Sequence, residues 1–175
     1  MNYATFRTHD VANGPGVRVS LFVSGCTHRC KGCFNAEAWD FSYGEPYTAE
    51  LEEKIISALS PSYIKGFSLL GGEPFEPQNQ AVLAGLLEKI KKTYPQKTVW
   101  CYSGYDFEKD IYPLRLGDPE VTKKMISSID VLVDGRFIEE KKDLSLRFRG
   151  SSNQRIINVP ESLSSGRVVL MEEFY

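Results

Sequence analysis

Val17-Arg18-Val19-Ser20-Leu21-Phe22-Val23-Ser24-Gly25-Cys26-Thr27-His28-Arg29-Cys30-Lys31-Gly32-Cys33-Phe34 changes character at Ser24-Gly25. The run Val17 to Val23 is rich in β-branched and apolar side chains and reads as a strand stopped by a turn dipeptide. Beyond it lies a loop without clear periodicity, running to about Tyr47, with three cysteines inside eight positions. In a sheet of parallel strands, ligands gather at the carboxyl ends. A strand that feeds three thiols into a loop at that end therefore sets the frame for the rest of the chain.

Outward from this stretch, strands and helices alternate. Thr48 is placed to cap a helix in which Leu51, Ile55, Ile56 and Leu59 recur at helical spacing, with Pro61 ending it. Phe67-Ser68-Leu69-Leu70 is a short apolar run stopped by Gly71-Gly72, as a buried strand would be. A second helix follows Pro77, with Val82, Leu83, Leu86, Leu87 and Ile90 on one face. Lys97 to Tyr102 forms the next strand, ended by Ser103-Gly104. Pro119 starts a further helical stretch, and Ile129 to Val133 is a strand closed by Asp134-Gly135. After Arg136 the pattern is less regular, with Leu146-Arg147-Phe148 and Arg155-Ile156-Ile157 as strand pieces.

Such alternation predicts an α/β fold of parallel strands joined by right-handed crossovers. At 175 residues the chain is short of the roughly 250 that an eight-stranded barrel takes. A partial, open (β/α) barrel is the expected form, as a single domain over 1–175. The cysteine loop, Gly71-Gly72-Glu73, Ser103-Gly104 and Asp134-Gly135 should then share one rim.

The hydrophobic fraction of 42% and charged fraction of 25% are those of an ordinary globular chain, long enough to fold without help from a metal. A net charge of -2 gives no electrostatic reason to expect nucleic acid as a partner. Basic pairs such as Lys91-Lys92 and Lys141-Lys142 are interleaved with acids and read as solvated surface. Met1-Asn2-Tyr3-Ala4-Thr5 lacks a signal-peptide pattern, and no apolar run approaches the roughly 20 residues of a membrane span. The expectation is a cytoplasmic protein without a membrane partner.

In a reducing compartment, clustered cysteines point to metal rather than disulfides, and a disulfide would leave one of the three unpaired. Cys26, Cys30 and Cys33 can each ligate one iron of a cubic four-iron cluster, whose usual set is four thiolates. The fourth iron then keeps an open position, which is a catalytic design. Zinc held by the three thiols plus His28 is the structural alternative. Zinc sites, however, pair their ligands in two separated clusters, and nothing downstream supplies the second. His28, lying between two ligands in one tight loop, reads as a surface residue. Cys101, beside Val99 and Trp100, reads as a buried structural thiol.

With these residues assembled, a resemblance emerges. Cys26, Cys30, Cys33 and Phe34 resemble the CxxxCxxC-aromatic signature of radical S-adenosylmethionine enzymes. Asn13-Gly14-Pro15-Gly16-Val17-Arg18, Leu21 to Gly25 and Phe34 through Trp39 are similar to the activating enzymes of glycyl-radical proteins. The nearest group is the activating proteins of anaerobic (class III) ribonucleoside-triphosphate reductases. Gly44 to Thr48, Leu69 to Pro74, Gln78-Asn79, Ser103-Gly104-Tyr105, Val131 to Phe137 and Arg149 to Gln154 extend the likeness from Met1 to about Gln154. Arg155 to Tyr175 extends beyond it as a C-terminal segment of open role.

The resemblance implies a [4Fe-4S] cluster on Cys26, Cys30 and Cys33, with S-adenosylmethionine on the open iron. Reductive cleavage of that cofactor to a 5'-deoxyadenosyl radical would install a glycyl radical on the reductase. The reductase and an electron donor such as flavodoxin are the implied partners. Gly71, Gly72 and Glu73 resemble the GGE motif, whose backbone and carboxylate approach the methionyl amino group. Two glycines also suit a bare turn after a strand. Asp134 and Arg136 are implied at the methionyl carboxylate, with Ser103 nearby, and Gly32, Cys33 and Phe34 at the adenine. The Asn13–Gly16 turn is implied close to the cluster loop, with Arg18 facing the partner. Two other readings stay open: activation of a different glycyl-radical enzyme of the pyruvate formate-lyase type, and a non-catalytic zinc or iron–sulfur interaction module.

Overall fold

The computed structural model describes residues 1–175. Seven strands form one mixed sheet: β1 (Asn2–Asp10), β2 (Val17–Val23), β3 (Glu45–Pro46), β4 (Ile64–Gly71), β5 (Thr98–Tyr102), β6 (Val131–Asp134) and β7 (Arg155–Asn158), in the order β3-β1-β2-β4-β5-β6-β7. The central four, β2, β4, β5 and β6, run parallel, as the strand–helix alternation predicts. The flanking strands are antiparallel, which departs from the all-parallel expectation. β1 reaches β2 through a short turn, and a short connection can join only antiparallel neighbours.

The three inter-strand helices are α1 (Ala49–Ala58), α2 (Pro77–Thr93) and α3 (Pro119–Ser127), and α4 (Val159–Ser165) follows β7. The Thr48 side chain accepts from Leu51 N at 3.2 Å, and Asp118 accepts from Glu120 N and Val121 N, so both starts have a side-chain cap. Pro77 opens α2, where its missing N–H costs nothing.

Alternation along each strand sends its side chains to opposite faces. Val19, Leu21, Val23, Phe67, Leu69, Val99 and Leu132 pack with Leu83, Leu86, Leu87 and Ile90 of α2 and with Met125 and Ile126 of α3. Each such aliphatic side chain contributes about 1.5–3 kcal/mol on burial. Cys101 belongs to this core and is fully buried, as its sequence context suggests. Trp100, Val131, Val133 and Ile156 form a smaller cluster that Phe174 closes.

Two expectations are corrected here. Leu146-Arg147-Phe148 is not a strand but part of a turn: Phe148 takes φ +54°, and its ring stands edge-on to Trp100 at 5.3 Å. Arg18 does not face outward near the cysteine loop. It is fully buried at the opposite end of β2, roughly 16 Å from Val23 at about 3.3 Å per residue. Its guanidinium donates to Ser68 Oγ at 2.7 Å, Phe67 O at 2.8 Å and Thr98 O at 2.9 Å, and lies over Trp100. The Asn13–Gly16 turn shares that end, where Ser68 Oγ donates to Asn13 O at 2.6 Å. No helix is long and apolar enough to cross a membrane.

Candidate functional site

Because β2, β4, β5 and β6 are parallel, their carboxyl ends meet on one rim, and the backbone ties those ends together. Gly72 N donates to Val23 O at 2.7 Å, Glu73 N to Gly25 O at 2.8 Å and Ser103 N to Val133 O at 2.9 Å. Gly71 takes φ +115°, and a side chain there would collide with the backbone of Val23, so the β4 turn needs glycine.

The thiol loop rises from this rim. Cys26 is buried, Cys30 and Cys33 are partly exposed, and all three are free thiols. Arg29 at φ +48° and Gly32 at φ +72° reverse the chain between them, and Cys33 N donates to Cys30 O at 3.1 Å. Burial pushes the Cys26 thiol up to about 11, opposed by the N–H groups of His28 and Arg29 that face its sulfur. Burial and the neighbouring Cys33 raise Cys30 as well, while the Phe137 N–H and the Arg136 charge act the other way. Asn35 N donates to Cys33 Sγ at 3.4 Å. Three free thiols whose sulfurs are met by backbone N–H groups fit an iron–sulfur cluster, since such hydrogen bonds are among the features that tune one.

The carboxylates beside the loop are buried. Glu76 accepts from Thr27 N at 2.7 Å and from Thr27 Oγ1 at 2.6 Å. Glu73, 1% exposed, accepts from Phe75 N and Ser103 Oγ at 2.9 Å each and from Gly104 N at 2.7 Å. His28 completes the set, with Nε2 at 3.0 Å from Glu73 Oε2. Its side chain is only 3% exposed, so the surface reading of His28 is wrong. With Nε2 committed to Glu73, that nitrogen is also unavailable to the zinc alternative.

Asp134 is buried at the end of β6, where it accepts from Phe107 N at 2.9 Å and Arg155 Nε at 2.9 Å. Arg155 also forks onto Glu108 at 2.9 and 2.6 Å. This guanidinium sits among the acids Asp106, Glu108 and Asp134 and so accounts for their convergence. Arg136 is exposed and without an acidic partner, and its backbone carbonyl accepts from Asn153 Nδ2 at 2.8 Å. Arg155 enters the sequence reading only as part of a strand piece and His28 is read there as surface, so neither support is foreseen. A cleft of about 470 Å³ opens here, lined by Gly104, Tyr105, Asp134, Gly135, Arg136 and Arg155 among others. A second, of about 520 Å³, lies beside Cys26, Arg29, Trp39 and Phe41. Gly32 is exposed, with room for no Cβ beside Glu139, and Phe34 is 90% exposed. The structure thus gathers Cys26, Glu73, Ser103 and Asp134 along the rim and leaves Phe34 and Arg136 projecting outward.

A family model described as a 4Fe-4S single cluster domain matches residues 12–157. Together with the cysteines it supports an iron–sulfur cluster. An anaerobic ribonucleoside-triphosphate reductase-activating protein of Vibrio cholerae is 44% identical over 158 residues, covering 89% of this chain and 97% of the relative. The protein of the same name from Escherichia coli (strain K12) is 42% identical over 156 residues, or 88% and 96% of the two chains. Its namesake in Enterobacteria phage T4 is 39% identical over 156 residues, or 89% and 93%.

Proposed function

This chain belongs to the family of anaerobic ribonucleoside-triphosphate reductase-activating proteins, and from that membership we propose that it activates such a reductase by installing a glycyl radical on it. The observation that carries the reading is the loop of three free thiols at the carboxyl rim of four parallel strands. In this reading the fold is a partial, open barrel of the radical S-adenosylmethionine type. Residues 1–175 form one domain, with β7 and the segment after it built into the sheet, and the protein is cytoplasmic.

Cys26, Cys30 and Cys33 would hold a [4Fe-4S] cluster and leave its fourth iron to S-adenosylmethionine. When bound, this pair supplies one-electron cleavage of the sulfonium to methionine and a 5'-deoxyadenosyl radical, which takes a hydrogen atom from the partner's glycine. The protein's own part is to bind, orient and exclude water. The Gly71-Gly72 turn, stripped of side chains, lets the methionyl end lie close to the backbone. Glu73 and Ser103 fix that turn to the β5 end. Arg136, exposed and without an acidic partner but close enough for its charge to act on Cys30, is a cation suited to the methionyl carboxylate. Asp134 shapes the same wall, and Gly32 with Phe34 offers backbone and ring to the adenine. The reductase would cover the exposed side, and a flavodoxin would deliver the electron.

The test is anaerobic reconstitution with iron and sulfide, followed by reduction in the presence of S-adenosylmethionine. The expected products are 5'-deoxyadenosine and, once the reductase is added, a doublet radical signal by electron paramagnetic resonance. A protein that takes up only zinc and releases no 5'-deoxyadenosine would overturn the reading.

A further inference from the structure

We propose that His28 and Glu73 are a pair of positioning residues: a buried tie that sets the thiol loop against the glycine turn, with Glu73 acting through the tie and not as a direct partner of the cofactor. The proposal rests on Cys26, Cys30 and Cys33 being the cluster ligands.

An ionised carboxylate only accepts, and it offers about four lone-pair sites. Glu73 has four donors: Phe75 N and Ser103 Oγ on Oε1, Gly104 N and His28 Nε2 on Oε2. Facing an acceptor, Nε2 of His28 must carry the ring hydrogen. No site on the carboxylate is left for the ammonium group of an amino acid. The donors belong to three different strand-end loops: His28 to the one after β2, Phe75 to the one after β4, Ser103 and Gly104 to the one after β5. One side chain therefore fixes the mutual position of all three.

The histidine is fixed as closely as the carboxylate. Tyr105 stands edge-on to its ring at 4.4 Å. Gly104 leaves room for the ring, since a Cβ there would overlap it. Glu76 grips Thr27 through two further bonds, so consecutive residues between Cys26 and Cys30 are anchored to the chain that follows β4. These bonds hold the first part of the ligand loop by protein groups alone.

The test uses His28→Ala, His28→Gln and Gly104→Ala, each as the full chain. Glutamine can return an N–H near the position of Nε2, while an alanine at 104 displaces the ring without touching its chemistry. In the protein before iron is added, hydrogen exchange across residues 27–33 should quicken about tenfold in His28→Ala and Gly104→Ala and stay close to wild type in His28→Gln. After reconstitution, His28→Ala should take up iron, since all three thiols remain. Its KM for S-adenosylmethionine should rise about tenfold, with a smaller change in kcat. Unchanged exchange in both alanine variants would overturn the tie. A KM unchanged or lowered in His28→Ala would also overturn the proposal, since freeing an oxygen of Glu73 would then have helped or spared cofactor binding. If exchange responds as expected while the wild-type protein cleaves no S-adenosylmethionine, the tie stands and the activity assigned above falls.

Discussion

Arg155, at the start of β7, reaches the carboxylate of Asp134 at the end of β6, donating from Nε to Oδ1 at 2.9 Å and from Nη2 to Oδ2. The pair joins the segment from Arg155 onward to the wall of the proposed cofactor site. It also explains how Asp134, 1% exposed, remains a satisfied charge.

Removing the guanidinium strands that charge. Arg155→Ala should lower stability by about 2–3 kcal/mol, less than the roughly 3–5 kcal/mol of a fully buried pair because Arg155 keeps contact with solvent. Arg155→Lys should recover less than half of the loss, since an ammonium cannot bind Asp134 and Glu108 bidentately. Urea denaturation midpoints at neutral pH would decide the matter, and a change below about 0.5 kcal/mol would contradict it.

The same guanidinium makes stability depend on acid. Its hydrogen bonds to Glu108 hold that carboxyl below the ordinary 4.5. A group lowered in the folded state stabilises fully above its unfolded value and loses that contribution as pH falls through the folded one. Between pH 5 and pH 3, wild type should lose more stability than Glu108→Gln. Parallel denaturation curves across that window would refute this.

Arg18 offers a contrast of place. Arg18→Ala would leave the carbonyls of Phe67 and Thr98 and the hydroxyl of Ser68 short of donors, at a cost of about 3 kcal/mol. Because Arg18 lies at the far end of the sheet, the folded fraction should bind iron and S-adenosylmethionine as wild type does. Iron content and KM measured well below the melting temperature would check the second half of this expectation.

Cysteine replacement should separate the four thiols. Alanine at Cys26, Cys30 or Cys33 should abolish the visible absorption of the reconstituted cluster. Cys101→Ala removes a fully buried thiol from the core and should cost about 1 kcal/mol while leaving that absorption in place. Loss of the chromophore in Cys101→Ala would reassign the ligand set.

The parallel centre of the sheet was legible because its strands are covered on both faces and read as continuous apolar runs between turn signals. The shared rim followed from that. β1 was not legible: Asn2 to Asp10 mixes polar and apolar residues along a strand that lies between β2 and the two-residue β3. Leu146 to Phe148 misled because its aromatic residue serves as a plug on Trp100 and not as a strand position. The thiols announced themselves by spacing. Their supports did not, since His28 meets Glu73 across 45 residues and Arg155 meets Asp134 across 21. One signal was available for the first: polar residues just past the ends of adjacent parallel strands, here β2 and β4, arrive side by side.

The β7 margin of the sheet is closed to a further strand, and most of the β1 margin is open. On one side β3 is two residues long, ends in Pro46, which has no N–H to offer, and pairs only with Asn2 and Tyr3, so the outer edge of β1 from Ala4 to Asp10 carries no strand. On the other, Asn158 N donates to Val169 O, Met171 N donates to Ile156 O, and the Tyr175 hydroxyl accepts from Ile156 N, so a stretch of the same chain takes up the outer hydrogen bonds of β7. A further strand, from a second copy or from a partner, can therefore join this sheet only along β1. Backbone register can matter to such an assembly along β1, while at the β7 margin contact has to run through side chains and loops.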